Sequence, residues 1–228
     1  TAQRSRNPPD TAALNGTVGG NRRPSGRRGC QVNAFQTQPG TLRWWQNTHP
    51  GLLLRDAGGR TVIDEGWDEV LLDTSTPRKR AELADVVGGW IDGCAESGFQ
   101  AVEPDNLDSF ERSEGRLTRS GNAALATVLA ERAHAAGLAI GQKNTTQLLG
   151  QGAAIGFDFA VTEECARYDE CGAYADTYDG RVFAVEYEGE GAGDFDDACS
   201  AWGDEVSLVQ RDLAVLPEGR KGYIHRTC

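Results

Sequence analysis

The 228-residue chain contains no methionine and only three histidines, His49, His134 and His225, which stand apart from one another. Its six cysteines include no C-x-x-C pair. A zinc site, which groups thiolates and imidazoles, therefore fits poorly, and no metal is expected. No stretch approaches the roughly 20 apolar residues that cross a bilayer, so a soluble protein without a membrane partner is expected. Positive charge is scarce as well. Lys and Arg number 23 against 34 Asp and Glu, for a formal net charge of −11. Nucleic-acid affinity rests on neutralising phosphates with basic side chains, so nucleic acid is excluded as a partner. Neither a G-x-S-x-G elbow nor a P-loop occurs. Gly189, Gly191 and Gly193 are spaced like a phosphate loop. The acids between them, Glu188, Glu190 and Asp194, would repel phosphate. No repeat suggests a solenoid. The chain starts at Thr1 without a methionine or a signal sequence, which reads as a processed, trimmed or fragmentary N-terminus.

What is present is enough apolar material, 39% of residues, to bury one sizeable core in a single domain. The charge is uneven. Residues 1–29 carry Arg4, Arg6, Arg22, Arg23, Arg27 and Arg28 against one acid, Asp10. This stretch lacks apolar periodicity and reads as a basic, disordered or irregular leader, followed by a folded domain over 30–228. Cys228 is the last residue, and an unpaired terminal thiol would be readily oxidised. Three disulfides and an oxidising, secreted setting are expected. Six cysteines allow 15 pairings, and sequence alone does not choose among them. Cys165 with Cys171 would close a short loop, Cys199 with Cys228 would tie down the last segment, and Cys30 with Cys94 follows by elimination.

From Cys30 onward, strands alternate with helices or long connections. Gln31–Phe35, Glu69–Asp73, Gln100–Glu103, Leu138–Gln142, Phe157–Val161, Val182–Tyr187 and Val206–Gln210 read as strands. Arg80–Ser97 has helical spacing, with Leu83, Val86, Val87, Trp90, Ile91 and Cys94 on one side, and Gly98 closes it. Asn122–Ala136 is an Ala/Leu helix closed by Gly137. Such alternation predicts parallel pairing with right-handed crossovers. The fold class expected is α/β, a (β/α)8 TIM-barrel-like fold whose first strand is unclear or missing. A doubly wound open sheet is the structural alternative.

Polar residues recur at the C-terminal ends of these strands: Asp73; Glu103, Asp105, Asn106 and Asp108; Lys143 and Asn144; Glu163 and Glu164; Glu186 and Tyr187; Arg211 and Asp212. In a parallel barrel those ends share one mouth, where active sites are built. Most of the groups are acids, and paired carboxylates are the machinery of glycoside hydrolysis. Like charges raise one pKa and leave the other acid ionised, and Lys143 can hold a neighbouring carboxylate ionised. Trp44, Trp45, Trp67, Phe110, Tyr168 and Tyr187 are candidates to stack on sugars, while Trp90 and Trp202 read as core. Competing readings remain. Asp73 can cap the helix after Pro77, and Glu103 can anchor the turn at Pro104. Glu163 and Glu164, being adjacent, should point opposite ways. A calcium site from Asp105, Asn106 and Asp108 misses the EF-hand spacing.

GFQAVEPDNLDSF (Gly98–Phe110), AIGQKN (Ala139–Asn144), FDFAVTEECARYDEC (Phe157–Cys171) and VFAVEY (Val182–Tyr187) together resemble glycoside hydrolase family 114, the endo-α-1,4-polygalactosaminidases. The resemblance runs from about Cys30 to Cys228 and implies a TIM-barrel glycosidase. Its two catalytic carboxylates correspond to Asp105 and Glu163. Asp73, Asn106, Asp108, Lys143, Asn144, Glu186, Tyr187 and Arg211 would then bind or orient substrate, with no cofactor required. Asp105 is expected as nucleophile or base and Glu163 as acid. The implied substrate is a polymer of α-1,4-linked galactosamine, cationic when its amines are free and attracted to an acidic cleft. A monomer is expected. Residues 1–29 do not look like the family's longer N-terminal region. A non-catalytic, degenerate carbohydrate-binding barrel is therefore the rival expectation.

Overall fold

The computed structural model describes residues 13–14, 28–189 and 195–228. Most of the basic leader and the acidic glycine loop at 190–194 lie outside the described residues. The elements run β1 (Ala13–Leu14), β2 (Gly29–Asn33), α1 (Leu42–Thr48), β3 (Ile63–Asp64), β4 (Glu69–Val70), α2 (Pro77–Glu96), β5 (Ala101–Asp105) and α3 (Arg119–Ala135). They continue with β6 (Ala139–Lys143), α4 (Gly152–Ile155), β7 (Phe159–Glu163), α5 (Cys171–Tyr178), β8 (Val182–Glu188), α6 (Phe195–Trp202), β9 (Ser207–Asp212) and β10 (His225–Thr227).

One eight-stranded sheet has the order β1-β2-β5-β6-β7-β8-β9-β10. Pairing is parallel from β2 through β9 and antiparallel only at the edges, β1 on β2 and β10 on β9. Among the described residues no pairing joins the two edges. Each parallel step needs a crossover, and the chain supplies a helix for each. The helix ends follow from local chemistry. Thr76 and Thr118 accept the backbone N–H of Lys79 and Gly121 at the starts of α2 and α3. Both helices start three residues earlier than the apolar periodicity indicates, at Pro77 and Arg119, because these threonine caps set the boundary. Gly98 and Gly137 follow the two helices with φ of 78° and 77°, a backbone region that side chains with a Cβ disfavour.

The core lies between the sheet and its helices. Cys30, Val32, Val102, Ile140, Ala160, Val182, Ala184 and Leu208 alternate along the strands and are buried with Leu83, Val87, Trp90 and Ile91 of α2 and Leu125, Leu129 and Ala133 of α3. A disulfide joins Cys30 in β2 to Cys94 in α2, and others join Cys165 to Cys171 and Cys199 to Cys228. The opposite sheet face carries the residues in between, including Gln31, Asn33, Glu103, Asp105, Lys143, Glu163 and Tyr187. Gly141 is small because a Cβ there would come within 2.5 Å of the Phe159 ring on the neighbouring strand.

One expected strand is placed differently. Glu69–Asp73 does not enter the parallel sheet. Gly29–Asn33 pairs directly with Ala101–Asp105, leaving no position between them. Glu69–Val70 instead forms an antiparallel hairpin with Ile63–Asp64, and Leu71 and Leu72 bridge Gln36 and Leu53. Three successive apolar residues are buried equally well here, Leu71 in a small cluster with Leu54, Val62 and Leu117, and Val70 and Leu72 in the main core. This excursion, residues 34–76, rises from the C-terminal end of β2.

Candidate active site

The side chains meet at the C-terminal ends of the parallel strands, around Lys143. This lysine ends β6, is 5% exposed, and lies 3.0 Å from Glu103 Oε1, 3.3 Å from Asp105 Oδ1 and 3.5 Å from Glu163 Oε2. One ammonium on β6 thus joins carboxylates from the strands on either side of it, β5 and β7. The ammonium bridges Asp105 Oδ1 and Glu163 Oε2. Burial opposes the charge on Lys143, but Glu103, Asp105 and Glu163 outweigh it and hold the ammonium well above the ordinary lysine range. Burial raises Glu103, and Asp105 and Glu163 push the same way against the pull of Lys143.

Asp105 is supplied with donors on both oxygens. Oδ1 accepts the backbone N–H of Asn106 at 2.8 Å, and Oδ2 accepts Gln31 Nε2. Glu163 Oε1 accepts the Tyr187 hydroxyl at 2.6 Å. Burial and the adjacent Glu163 raise the Tyr187 phenol, so it stays a donor. Asn144 accepts the Glu163 backbone N–H at 2.8 Å and so sets where β7 ends. Asn106, Asn144 and Glu164, each the first residue beyond its strand, have positive φ of 65°, 42° and 59°. Such conformations carry local strain and cluster at functional rims.

Thus Asp105, Asn106, Lys143, Asn144, Glu163 and Tyr187 are brought into one network, and four other expected residues are not. Asp73 turns to Ser75 N at 3.0 Å and to Lys79 at the start of α2. Asp108 holds Arg112 through both oxygens, at 2.7 and 2.9 Å. Glu186 is on the helix side of β8, because neighbours on a strand face opposite ways, and accepts Ala166 N at 3.0 Å. Arg211 pairs with Tyr187 in register, but its guanidinium donates to the carbonyls of Ile224 and Leu216 and stacks over Tyr223. Of the aromatics, Trp45 is fully buried against Trp44 and Trp90 and so is unavailable to a sugar, while Trp67 and Tyr168 are exposed. Glu164 pairs with Arg167.

Sequence reading left out Gln31, Asn33 and Glu69, and set Glu103 among the rim acids without giving it a place in the site. Glu103 is the group nearest Lys143 rather than a turn anchor, and its two-residue spacing from Asp105 was the available sign that both share a face. Gln31 and Asn33 share that spacing on β2 and lie opposite Glu103 and Asp105. Glu69 comes from the excursion hairpin: its Oε2 accepts Asn33 Nδ2 and Gln36 Nε2, each at 3.2 Å. No local pattern marks Glu69. Among the described residues, Cys165, Cys171 and Glu186 are grouped closely enough for a metal, but the two sulfurs are bonded to each other and offer no thiolate. No helix among the described residues is long and apolar enough to cross a membrane.

The family model of glycoside-hydrolase family GH114 matches residues 20–228. Among solved structures, Aspergillus fumigatus Ega3 in complex with galactosamine is similar at 22% identity and a TM-score of 0.66, covering 88% of this chain and 78% of that one. The glycoside hydrolase domain of PelA from Pseudomonas aeruginosa is similar at 16% identity and a TM-score of 0.55, covering 83% of this chain and 79% of that one. No curated protein sequence matches. The fold class is accordingly the α/β, TIM-barrel-like one.

Proposed function

The chain belongs to glycoside-hydrolase family GH114, and from that premise we propose that it is a secreted, endo-acting glycosidase that cleaves α-1,4-linked galactosamine polymers with Asp105 and Glu163. The observation that carries this reading is the single Lys143 ammonium within reach of both carboxylates. The similarity to a structure solved with galactosamine supports an amino-sugar substrate. The net charge of −11 suits a cationic polymer. Three disulfides suit an oxidising, extracellular setting.

The division of labour follows from the donors. Asp105, with Gln31, Asn106 and Lys143 donating to it, attacks the anomeric carbon. Glu163 delivers a proton to the departing glycosidic oxygen, then takes one from the water that releases the sugar from Asp105. Tyr187 orients Glu163. A double displacement of this kind retains the anomeric configuration.

The test is reducing-end release from partially deacetylated α-1,4-galactosamine polymer. The parent protein is expected to release ends, and Asp105→Asn and Glu163→Gln to lose at least about 1,000-fold in rate while keeping their thermal melts. Full activity in either variant would remove the assignment. A second reading, a carbohydrate-binding barrel without turnover, is favoured by the sheet whose edges do not pair among the described residues. Polymer binding without release of ends would establish it.

A further inference from the structure

Glu69, like Glu103, is an acid of the cluster that the mechanism does not use, but unlike Glu103 it has no lysine beside it among the described residues. It is 7% exposed, and both amide donors that hold it, Asn33 and Gln36, meet the same oxygen, Oε2. Among the described residues nothing donates to Oε1 and no cation pairs with Glu69. The nearest cation in its network, Arg112, reaches it only through Gln36 Oε1 at 2.8 Å and is committed to Asp108. The charges acting on Glu69 are acids, Asp105 and Asp64. Asn33 fixes its position: it lies opposite Asp105 in register, donates to Glu69 and accepts from Asn106. Oε1 takes no hydrogen bond among the described residues and is not sealed in the core, so a carboxylate held beside other acids keeps one oxygen open to an arriving cation.

In an amino sugar the nitrogen sits on C2, one bond from the carbon that Asp105 attacks. We propose that Glu69 Oε1 receives the C2 ammonium of the sugar being cleaved, which selects the free amine over its N-acetylated form. This deepens the amino-sugar reading above and rests on it. An acetamide offers no charge to neutralise Glu69 and adds bulk against Asn33. Burial raises the Glu69 pKa, the Gln36 and Asn33 amides oppose that, and Asp105 adds to it. An ammonium on Oε1 would offset both the burial and the nearby negative charge. Trp67, 71% exposed on the turn of the same hairpin, offers a ring face to a neighbouring sugar.

The experiment is calorimetric titration with α-1,4-galactosamine oligosaccharides and their N-acetylated counterparts. The parent is expected to prefer the free-amine oligomer. Glu69→Gln should weaken that oligomer by roughly tenfold or more and leave the acetylated one within about twofold, as loss of a charged hydrogen bond requires. A preference that survives Glu69→Gln, an equal loss for both oligomers, or a parent with no preference would each overturn the inference. Should Glu69→Gln not fold, the structure of Asp105→Asn with the free-amine oligomer decides: C2 nitrogen on Glu69 Oε1 supports the proposal, and nitrogen on another acid overturns it. The preference can hold in a protein that releases no reducing ends, in which case the hydrolase reading fails and the assignment of Glu69 stands.

Discussion

Lys143 is the residue on which the site turns. A buried ammonium is expensive, and three carboxylates at 3.0 to 3.5 Å offset that cost. Among them Glu103 has its pKa raised, by burial first and then by Asp105 and Glu163. Asp73 works differently, as a structural acid. Burial would raise its pKa, but Lys79 and Ser75 outweigh that and hold it below the ordinary 3.8. A depressed native pKa contributes stability above the unfolded value and loses it as pH falls through the native one. Asp73→Asn is therefore expected to lower the melting temperature at pH 7 by a few degrees, about 1 kcal/mol. The gap between parent and variant should close as the pH drops below 3.8. Melts across that range check it, and a pH-independent gap would mean that the pair with Lys79 is not the cause.

At the scale of elements, the disulfides constrain different parts of the chain. Cys30–Cys94 spans 64 residues and ties the first parallel strand to its crossover helix. Cys165–Cys171 spans only 6 and closes the loop that leaves Glu163. Loop-closure entropy gives about 4 kcal/mol for the former and about 2 kcal/mol for the latter. Replacing Cys30 and Cys94 by serine should thus shift a denaturant midpoint more. Replacing Cys165 and Cys171 should cost more in kcat, because the freed loop no longer fixes the backbone next to Glu163. Equal midpoints, or unchanged turnover in the second pair, would contradict these roles. The β3–β4 hairpin also shapes the site, because it brings Glu69 over the end of β2, a position no parallel strand could supply.

For the whole molecule, the imbalance of charge acts at long range. Lys and Arg fall short of Asp and Glu, 23 against 34. The resulting field should draw a polycation toward the strand ends. The KM for free-amine polymer is expected to rise several-fold between low salt and about 0.15 M, as the screening length shrinks from about 30 Å to about 8 Å. Acetylated polymer should show little dependence. A salt-insensitive KM for the free-amine polymer would assign its recognition to short contacts alone.

The six parallel strands, the glycine stops of α2 and α3 and the placing of polar groups at strand ends could be read from the sequence, because each depends on neighbours a few residues apart, whereas the threonine caps that start both helices were missed. That the six cysteines form three disulfides was legible as well, while spacing left the pairing open and the fold decided it. Strand periodicity even carried the separation of Glu186 from Tyr187, which choosing both as substrate ligands overlooked. Tertiary structure alone decided which rim acids meet. Register set Asp105 and Glu163 around Lys143, the carbonyls of Leu216 and Ile224 occupied Arg211, and Glu69–Asp73 became part of a hairpin. Contacts of that kind depend on strand order and on the course of a long connection, and a run of apolar residues is compatible with more than one buried position.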